Sequence, residues 1–499
     1  MSEHRRVALV AAVVGAASLG AEIAAARLLA PWFGASTIVW ANTIATVLVA
    51  LSAGYWLGGR LADRDPTFGG LCRVVLLAAG LMAVVPFVAG PFLRVSVDAL
   101  DSVEAGAFVG SLLAVLVLIA APVLVLGCVA PYAVRLSVVA VDEAGRVAGR
   151  LYAISTLGSL VGVFLSALVL VPFAGTRRTF LAFGLALALV AALGLRPRLA
   201  ALAPAALVVL LALPTGTVKA TSDGRVIWER ETDYQYARVI QAPDGERRLE
   251  LNEGQAVHSV YRPGAWLTGG YWDEPLVLPF AARRTPPRSI AILGSAAGTV
   301  ARAYGHFFPS TRIDAVEIDH DLTDVGRRLF GLHAPRLHTH AADARPWLRA
   351  TDRRFDVIYV DAYRQPYIPF YLATREFFAL ARSRLTPGGM VIVNVGHPER
   401  SSRLERVLSA TMGAELTHVV RDPSEPINTQ LIASDAPLSA ATLRAATPGL
   451  PAPLQPLARA AAGRLSPALG GGPVYTDDVA PVEWLIDASI VQVAADGHR

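Results

Sequence analysis

Ser289-Ile-Ala-Ile-Leu293, followed directly by Gly294-Ser-Ala-Ala-Gly298, reads as a short apolar strand that runs through a turn of small residues into a helix. Small side chains at such a turn let the backbone approach a ligand closely, and the helix N-terminus behind it favours negative or polar groups. Working outward, apolar strands fall at 289–293, 312–317, 356–360 and 389–395, with helical stretches at about 297–306, 320–330 and 373–385. Strand–helix alternation of this kind predicts a parallel, doubly wound sheet of Rossmann-like type. Upstream, segments 225–241 and 247–262 alternate in the manner of strands and read as a small β region.

The rest of the chain is different in kind. Of its 499 residues 54% are hydrophobic, and the mean hydropathy of +0.46 is too high for an ordinary soluble chain. The excess lies before about residue 216, where apolar runs fall at roughly 7–30, 37–59, 72–93, 107–134, 151–174, 179–195 and 199–214. Runs of that length are expected to be membrane-spanning helices, because in lipid only a helix satisfies its own backbone. The first run is longer than a signal peptide and has no clear cleavage site, so a retained span is expected. The expected organisation is therefore a helical multi-span domain at 1–216, a small β region at 217–285 and a Rossmann-like domain at 286–499.

Arg5, Arg6, Arg60, Arg64, Arg73, Arg135, Arg146, Arg150, Arg196 and Arg198 fall on alternate loops. Arg94, Arg177 and Arg178 share the opposite loops with Asp98, Asp101 and Glu104. The positive-inside rule then puts the N-terminus in the cytoplasm. A plasma-membrane, multi-pass protein with a cytoplasmic C-terminal domain is expected, although seven spans would place that domain outside. The net charge of +5 comes from Arg, with Lys219 the single lysine, and no basic block with interleaved aromatics points to nucleic acid. Cys72 and Cys128 lie in or beside apolar runs and form neither a disulfide framework nor a zinc site. In the first span Glu22 and Arg27 are ionisable groups that need a partner, a cavity or an interface. Gly54/Gly58 and Gly158/Gly162 have the spacing that permits close helix contact.

In the C-terminal half the acids are spaced to matter. Glu317, in Val316-Glu317-Ile318-Asp319, lies 23 positions after Gly294, near the spacing of about 20 at which an acid meets a ribose hydroxyl. Asp343, in Ala342-Asp343-Ala344, follows a third strand and is placed to accept from an adenine amino group. The turn lacks the G-x-G-x-x-G of dinucleotide sites, so an adenosyl nucleoside without pyrophosphate fits better. His258, His320, His338 and His340 show no metal-ligand spacing.

Several pieces together resemble the spermidine synthase (polyamine aminopropyltransferase) family, of the type fused to a membrane domain. Asp233-Tyr234-Gln235 resembles the family's Tyr-Gln element, and Leu251-Asn-Glu-Gly-Gln255 its β-hairpin. Tyr271-Trp-Asp273-Glu274 stands where that family has Tyr-x-Glu. Gly294 to Gly298, Glu317 and Asp343 resemble the cofactor loop and its two acids, and Asp361, after Asp356-Val-Ile-Tyr-Val360, the catalytic Asp. Leu385-Thr-Pro-Gly-Gly389 is shared with methyltransferases, and Thr476-Asp477-Asp478-Val-Ala-Pro481 with the membrane-fused branch.

The resemblance implies transfer of an aminopropyl group from decarboxylated S-adenosylmethionine to a polyamine such as putrescine. It implies Asp361 as catalytic base, and Gln235, Gly294, Gly298, Glu317, Asp343 and Ala344 around the cofactor. Tyr234, Asp273, Glu274, Tyr363, Asp477 and Asp478 would line the polyamine. The chemistry requires no metal, because the sulfonium already activates the carbon attacked; self-association into a homo-oligomer is compatible with the sequence. Two departures stand out. Ala297 occupies the position of an acid that contacts the aminopropyl ammonium, and Asp361-Ala-Tyr-Arg-Gln-Pro366 lacks the family's second Asp and brings in Arg364. They leave open a methyltransferase using S-adenosylmethionine itself, and a membrane module that binds polyamine or nucleoside without turnover.

Overall fold

The computed structural model describes residues 2–33, 37–100, 106–213, 221, 223–252, 256–363, 368–397 and 401–485. Gln255 of the expected hairpin, Arg364, Gln365 and Pro366 of the loop after Asp361, Asp101, Glu104 and the expected boundary at 216/217 lie outside the described residues. The chain divides into two compact units, Met1–Ala220 with Glu229–Tyr236, and Thr221–Trp228 with Ala237–Arg499.

The first unit is helical. Among the described residues six helices are long and apolar enough to cross a membrane: Glu3–Phe33, Val39–Arg64, Phe68–Leu93, Ala120–Ser137, Val141–Ala174 and Thr176–Gly194. The expected seventh span is a helix too, but its apolar part, Ala200–Ala212, falls short of the ~20 residues a bilayer requires. The run expected as one helix at 107–134 is jointed into Gly106–Leu118, Ala120–Gly127 and Val129–Ser137. Pro122 and Pro131 each follow the last residue before a joint by four positions, where the proline ring meets the i−4 carbonyl. Likewise Ala144–Leu165 passes through a π turn, Ser166–Leu170, just before Pro172.

The glycine pairs are contact points between helices. A Cβ on Gly158 or Gly162 would lie 2.0 or 2.1 Å from the carbonyl oxygen of Ala12 or Ala16, and one on Gly58 2.3 Å from that of Cys128. Asn42 is buried and donates to Ser111 Oγ at 3.0 Å, inside the bundle.

Arg225–Glu231 (β1), Tyr236–Gln241 (β2), Arg247–Leu251 (β3) and Val257–Tyr261 (β4) form a four-stranded sheet in chain order. The large sheet contains Ser289–Leu293 (β5), Arg312–Glu317 (β6), Leu337–Ala341 (β7), Phe355–Val360 (β8), Leu385–Gly396 (β9), His418–Glu425 (β10), Asn428–Ser434 (β11) and Ser466–Pro467 (β12). Its order is β12-β10-β11-β9-β8-β5-β6-β7. The five strands from β9 to β7 are parallel, whereas β11 runs antiparallel to β9 and pairs with β10 as a hairpin. The sheet expected to be wholly parallel is therefore mixed, a methyltransferase-type doubly wound arrangement with an antiparallel margin.

Both faces are covered, which explains the continuous apolar runs. Ile290, Ile292, Val357, Tyr359 and Ile392 pack on one side, and Ala291, Leu293, Ile358, Val360 and Val393 on the other. Each large aliphatic side chain so buried contributes about 1.5–3 kcal/mol. The chain leaves β5 toward β6 and leaves β8 toward β9, in opposite directions along the sheet. A crevice at the carboxyl ends of β5 and β8 is the physical consequence of that reversal.

Candidate functional site

The turn after β5 is shaped by positive φ at Gly294 (+87°), Ala296 (+45°) and Gly298 (+87°). The N–H groups of Gly294 and Ser295 both donate to the Val316 carbonyl, at 3.0 and 3.1 Å, which binds the turn to the end of β6. β4 closes it from above: Ser259 Oγ accepts from the Ala297 N–H at 3.0 Å, and Thr299 Oγ1 accepts from the Val260 N–H at 2.9 Å. A Cβ on Gly294 would lie 2.5 Å from both Ala362 Cα and the Asp361 carbonyl oxygen. The first turn residue and the residue after β8 are thus in backbone contact.

Glu317 ends β6 facing this turn. Its Oε2 accepts from the Ala296 N–H at 2.8 Å and its Oε1 from the Asp319 N–H at 3.1 Å. Burial pushes the carboxyl up to about 7, against the lowering by those two N–H groups. A carboxylate with one bond on each oxygen keeps lone pairs for further donors such as a pair of hydroxyls.

Asp361 stands on the other side of the turn. Burial pushes its carboxyl up to about 7, and the hydrogen bond from Asn394 offsets part of that. Asn394 Nδ2 donates to Asp361 Oδ1 at 2.8 Å, while Asn394 Oδ1 accepts from Asn428 Nδ2 at 3.0 Å and Gln430 Nε2 at 2.8 Å. Two amides thereby fix the orientation of a third, which aims its N–H at the carboxylate. The Tyr363 hydroxyl donates to the Asn394 carbonyl at 2.9 Å and accepts from the Gly396 N–H. Burial, then the Asp361 charge, push the Tyr271 and Tyr359 hydroxyls well above the ordinary tyrosine range. They therefore stay neutral beside Asp361, in the form that can donate.

A cavity lies between the Gly294 turn and Asp361, lined by His258, Trp272, Gly294, Ser295, Ala296 and Asp361 among others but not by Glu317. Its volume is about 10 Å³, room for about one water, so a nucleoside enters only if lining side chains move. Ser295 Oγ is buried there without a hydrogen-bond partner among the described residues, the state of a group that a ligand or water completes.

The other acids expected at the site are engaged elsewhere. Asp343 caps the helix Ala344–Ala350 through Oδ1, and its Oδ2 accepts from the Tyr371 hydroxyl at 2.7 Å. Asp273 accepts from the Thr268 and Gly269 N–H groups and the Thr268 hydroxyl, closing the loop before it. Glu274 pairs with Arg464 at 2.7 Å, and burial with the nearby Asp422 charge pushes its carboxyl up to about 8. Asp477 is clamped by Arg345 at 2.7 and 2.6 Å and by the Thr374 hydroxyl, which hold its carboxyl below the usual range. Asp478 is exposed, as is Tyr234. Tyr234 and Gln235 lie in the β1–β2 turn, where Thr232 Oγ1 accepts from both their N–H groups. None of these residues lines the small cavity, nor does Ala297, whose side chain packs with Leu322 and Val325.

Asn394, Asn428, Gln430 and Tyr359 were not anticipated from the sequence. Asn394 alone left a signal, a single amide inside the apolar run Met390-Val-Ile-Val-Asn394-Val395.

Residues 277–422 match the family model for the spermine/spermidine synthase domain. A probable polyamine aminopropyl transferase of Bifidobacterium longum is 37% identical over 168 residues, which is 34% of this chain and 37% of that protein. A polyamine aminopropyltransferase of Mycobacterium tuberculosis is 29% identical over 433 residues, 79% of this chain and 78% of the relative. A solved probable spermidine synthase from Corynebacterium glutamicum superposes on 52% of this chain and 99% of its own length, at 22% identity and a TM-score of 0.40. The chain thus spans little more than a third of the Bifidobacterium protein that it matches.

Proposed function

We propose, from the premise that residues 277–422 belong to the spermine/spermidine synthase domain family, that the second unit transfers an aminopropyl group from decarboxylated S-adenosylmethionine to a polyamine such as putrescine. The observation that carries this reading is Asp361. It is a carboxylate at the carboxyl end of β8, against the Gly294 turn, held by Asn394 and raised to about 7. A group with that pKa is a competent base near neutral pH.

The acceptor is an amine that must first lose a proton. Asp361 takes it, the nitrogen lone pair attacks the propyl carbon beside the sulfonium, and the C–S bond breaks with its electrons returning to sulfur. The products are the elongated polyamine and neutral methylthioadenosine, with the proton on Asp361. Glu317 would accept from the ribose hydroxyls, and the Gly294–Gly298 turn would receive the adenosine backbone-first. Asp343 and Ala344 would flank the base. Neutral Tyr271 and Tyr363 would lie along the amine's hydrocarbon stem. The six long apolar helices support a multi-pass location of the first unit in the plasma membrane.

The test is to incubate the detergent-purified full chain with putrescine and either donor and to identify the product by mass spectrometry. Methylthioadenosine that depends on the amine is the expected result. S-adenosylhomocysteine from S-adenosylmethionine would replace this reading with methyl transfer.

The pH profile follows from the base. Asp361 must be ionised to act, so kcat/KM should rise with pH and level off above a limb near 7. A rate that is flat from pH 5 to 9 would remove Asp361 from proton transfer.

A further inference from the structure

A larger cavity lies elsewhere among the described residues. It measures about 720 Å³ and is lined wholly by residues of the first unit, which includes Glu229–Tyr236. That is the size of a small-molecule site, ~300–1,000 Å³. Trp32, Phe87 and Phe173, each preceded by a proline, give it an apolar wall drawn from three helices. Against that wall stand groups of both charges, Arg177 and Arg230 with Glu229 and Glu231.

Glu231 is the best-defined of them. Its Oε2 accepts from the Thr176 N–H at 3.1 Å and from the Thr176 hydroxyl, so both bonds fall on one oxygen and Oε1 is left for a ligand. Burial pushes this carboxyl up, with Thr176 and the Arg27 charge offsetting part of the rise. An ionised carboxylate against apolar walls is costly unless a cation or donor completes it. The Arg27 guanidinium is engaged by backbone, donating to the carbonyl oxygens of Thr232 and Asp233 and so holding the β1–β2 turn. Arg177 lies over the Phe87 ring, 4.6 Å from its centroid, with its charge at the cavity wall. Glu229 accepts from the Tyr236 hydroxyl at 2.8 Å.

We propose that this cavity binds a zwitterionic amphipath that carries a primary ammonium, its N–H groups on Glu231 Oε1, its anionic group toward Arg177 and Arg230, and its hydrocarbon against Trp32, Phe87 and Phe173. A polycation would meet the three arginines of the lining and a simple anion its two glutamates, whereas a zwitterion satisfies both signs. A trimethylated ammonium has no N–H for Oε1, which makes the primary amine the discriminating feature. The chemistry is that of an aminophospholipid or of its water-soluble headgroup, and it is independent of the transfer reaction.

The experiment uses the delipidated full chain in detergent, with binding followed by native mass spectrometry and thermal shift. The probes are dioctanoyl phosphatidylethanolamine, dioctanoyl phosphatidylcholine, dioctanoyl phosphatidylglycerol, phosphoethanolamine and spermidine. Phosphatidylethanolamine should be retained over phosphatidylcholine and phosphatidylglycerol, and Glu231→Gln should reduce that preference roughly tenfold, the worth of one charge-assisted hydrogen bond. Phe173→Ala, at a position 82% exposed and safe for folding, should weaken the lipid but not phosphoethanolamine. Binding of phosphoethanolamine as tightly as the lipid assigns the site to the free headgroup. Equal retention of the ethanolamine and choline lipids, preference for spermidine, or an unchanged preference in Glu231→Gln overturns the proposal.

Discussion

Asp361→Asn should lower the rate of aminopropyl transfer by ~10²–10⁴-fold, the usual worth of a positioned base, and leave donor affinity unchanged. The substitution keeps size and keeps an oxygen to accept from Asn394 Nδ2, so the chain Asp361–Asn394–Gln430 retains its packing and its hydrogen bonds. What it removes is the site for the proton. Single-turnover rates measured with putrescine, and titration with methylthioadenosine by calorimetry, separate the two effects. Parallel loss of rate and binding would mean that Asp361 holds the cleft together instead of acting as the base. An undiminished rate would mean that it does neither.

Gly294→Ala should abolish measurable donor binding, whereas Gly298→Ala should be milder although both residues have φ +87°. A left-handed alanine costs ~1–2 kcal/mol, which alone is roughly 5–30-fold. At Gly294 the new methyl also meets backbone, Ala362 Cα and the Asp361 carbonyl oxygen at 2.5 Å, and these atoms retreat only by moving the end of β8. Relief of the clash therefore displaces the base itself. At Gly298 the neighbour is the Leu332 side chain, 2.3 Å away, which can rotate. Calorimetric titration of both variants with methylthioadenosine checks the order, and equal losses would show that backbone strain alone decides.

The sequence exposes features whose cause is local. The apolar stretch before Gly294 reads as a buried strand, and the acid Glu317 follows Gly294 at close to the spacing a ribose requires. The membrane-length helices are a matter of composition over windows of ~20 residues. What depends on distant partners was hidden. Asp273, Glu274 and Asp477 look like free acids in the sequence, yet Glu274 is paired with Arg464, 190 positions away, and Asp477 with Arg345, 132 positions away. The same holds for β11. Its Asn428, Thr429 and Gln430 are polar residues in a buried strand, tolerable because Asn394 on β9 accepts from two of them. That pairing supplies the antiparallel margin of the sheet and the support of Asp361 together, and neither is visible without the fold. The joints near Pro122, Pro131 and Pro172 were in principle legible, since proline removes a helix donor wherever it falls.

The central physical claim is that Gly294, Glu317 and Asp361 enclose an adenosine whose sulfur lies beside the base, although the cavity between Gly294 and Asp361 now admits little more than a water. An experimental structure of the full chain soaked with methylthioadenosine measures this directly. The account predicts the side chains around Trp272 displaced, the ribose hydroxyls on Glu317 and the sulfur facing Asp361. Nucleoside density elsewhere, with the turn and its lining unmoved at saturating ligand, would contradict it.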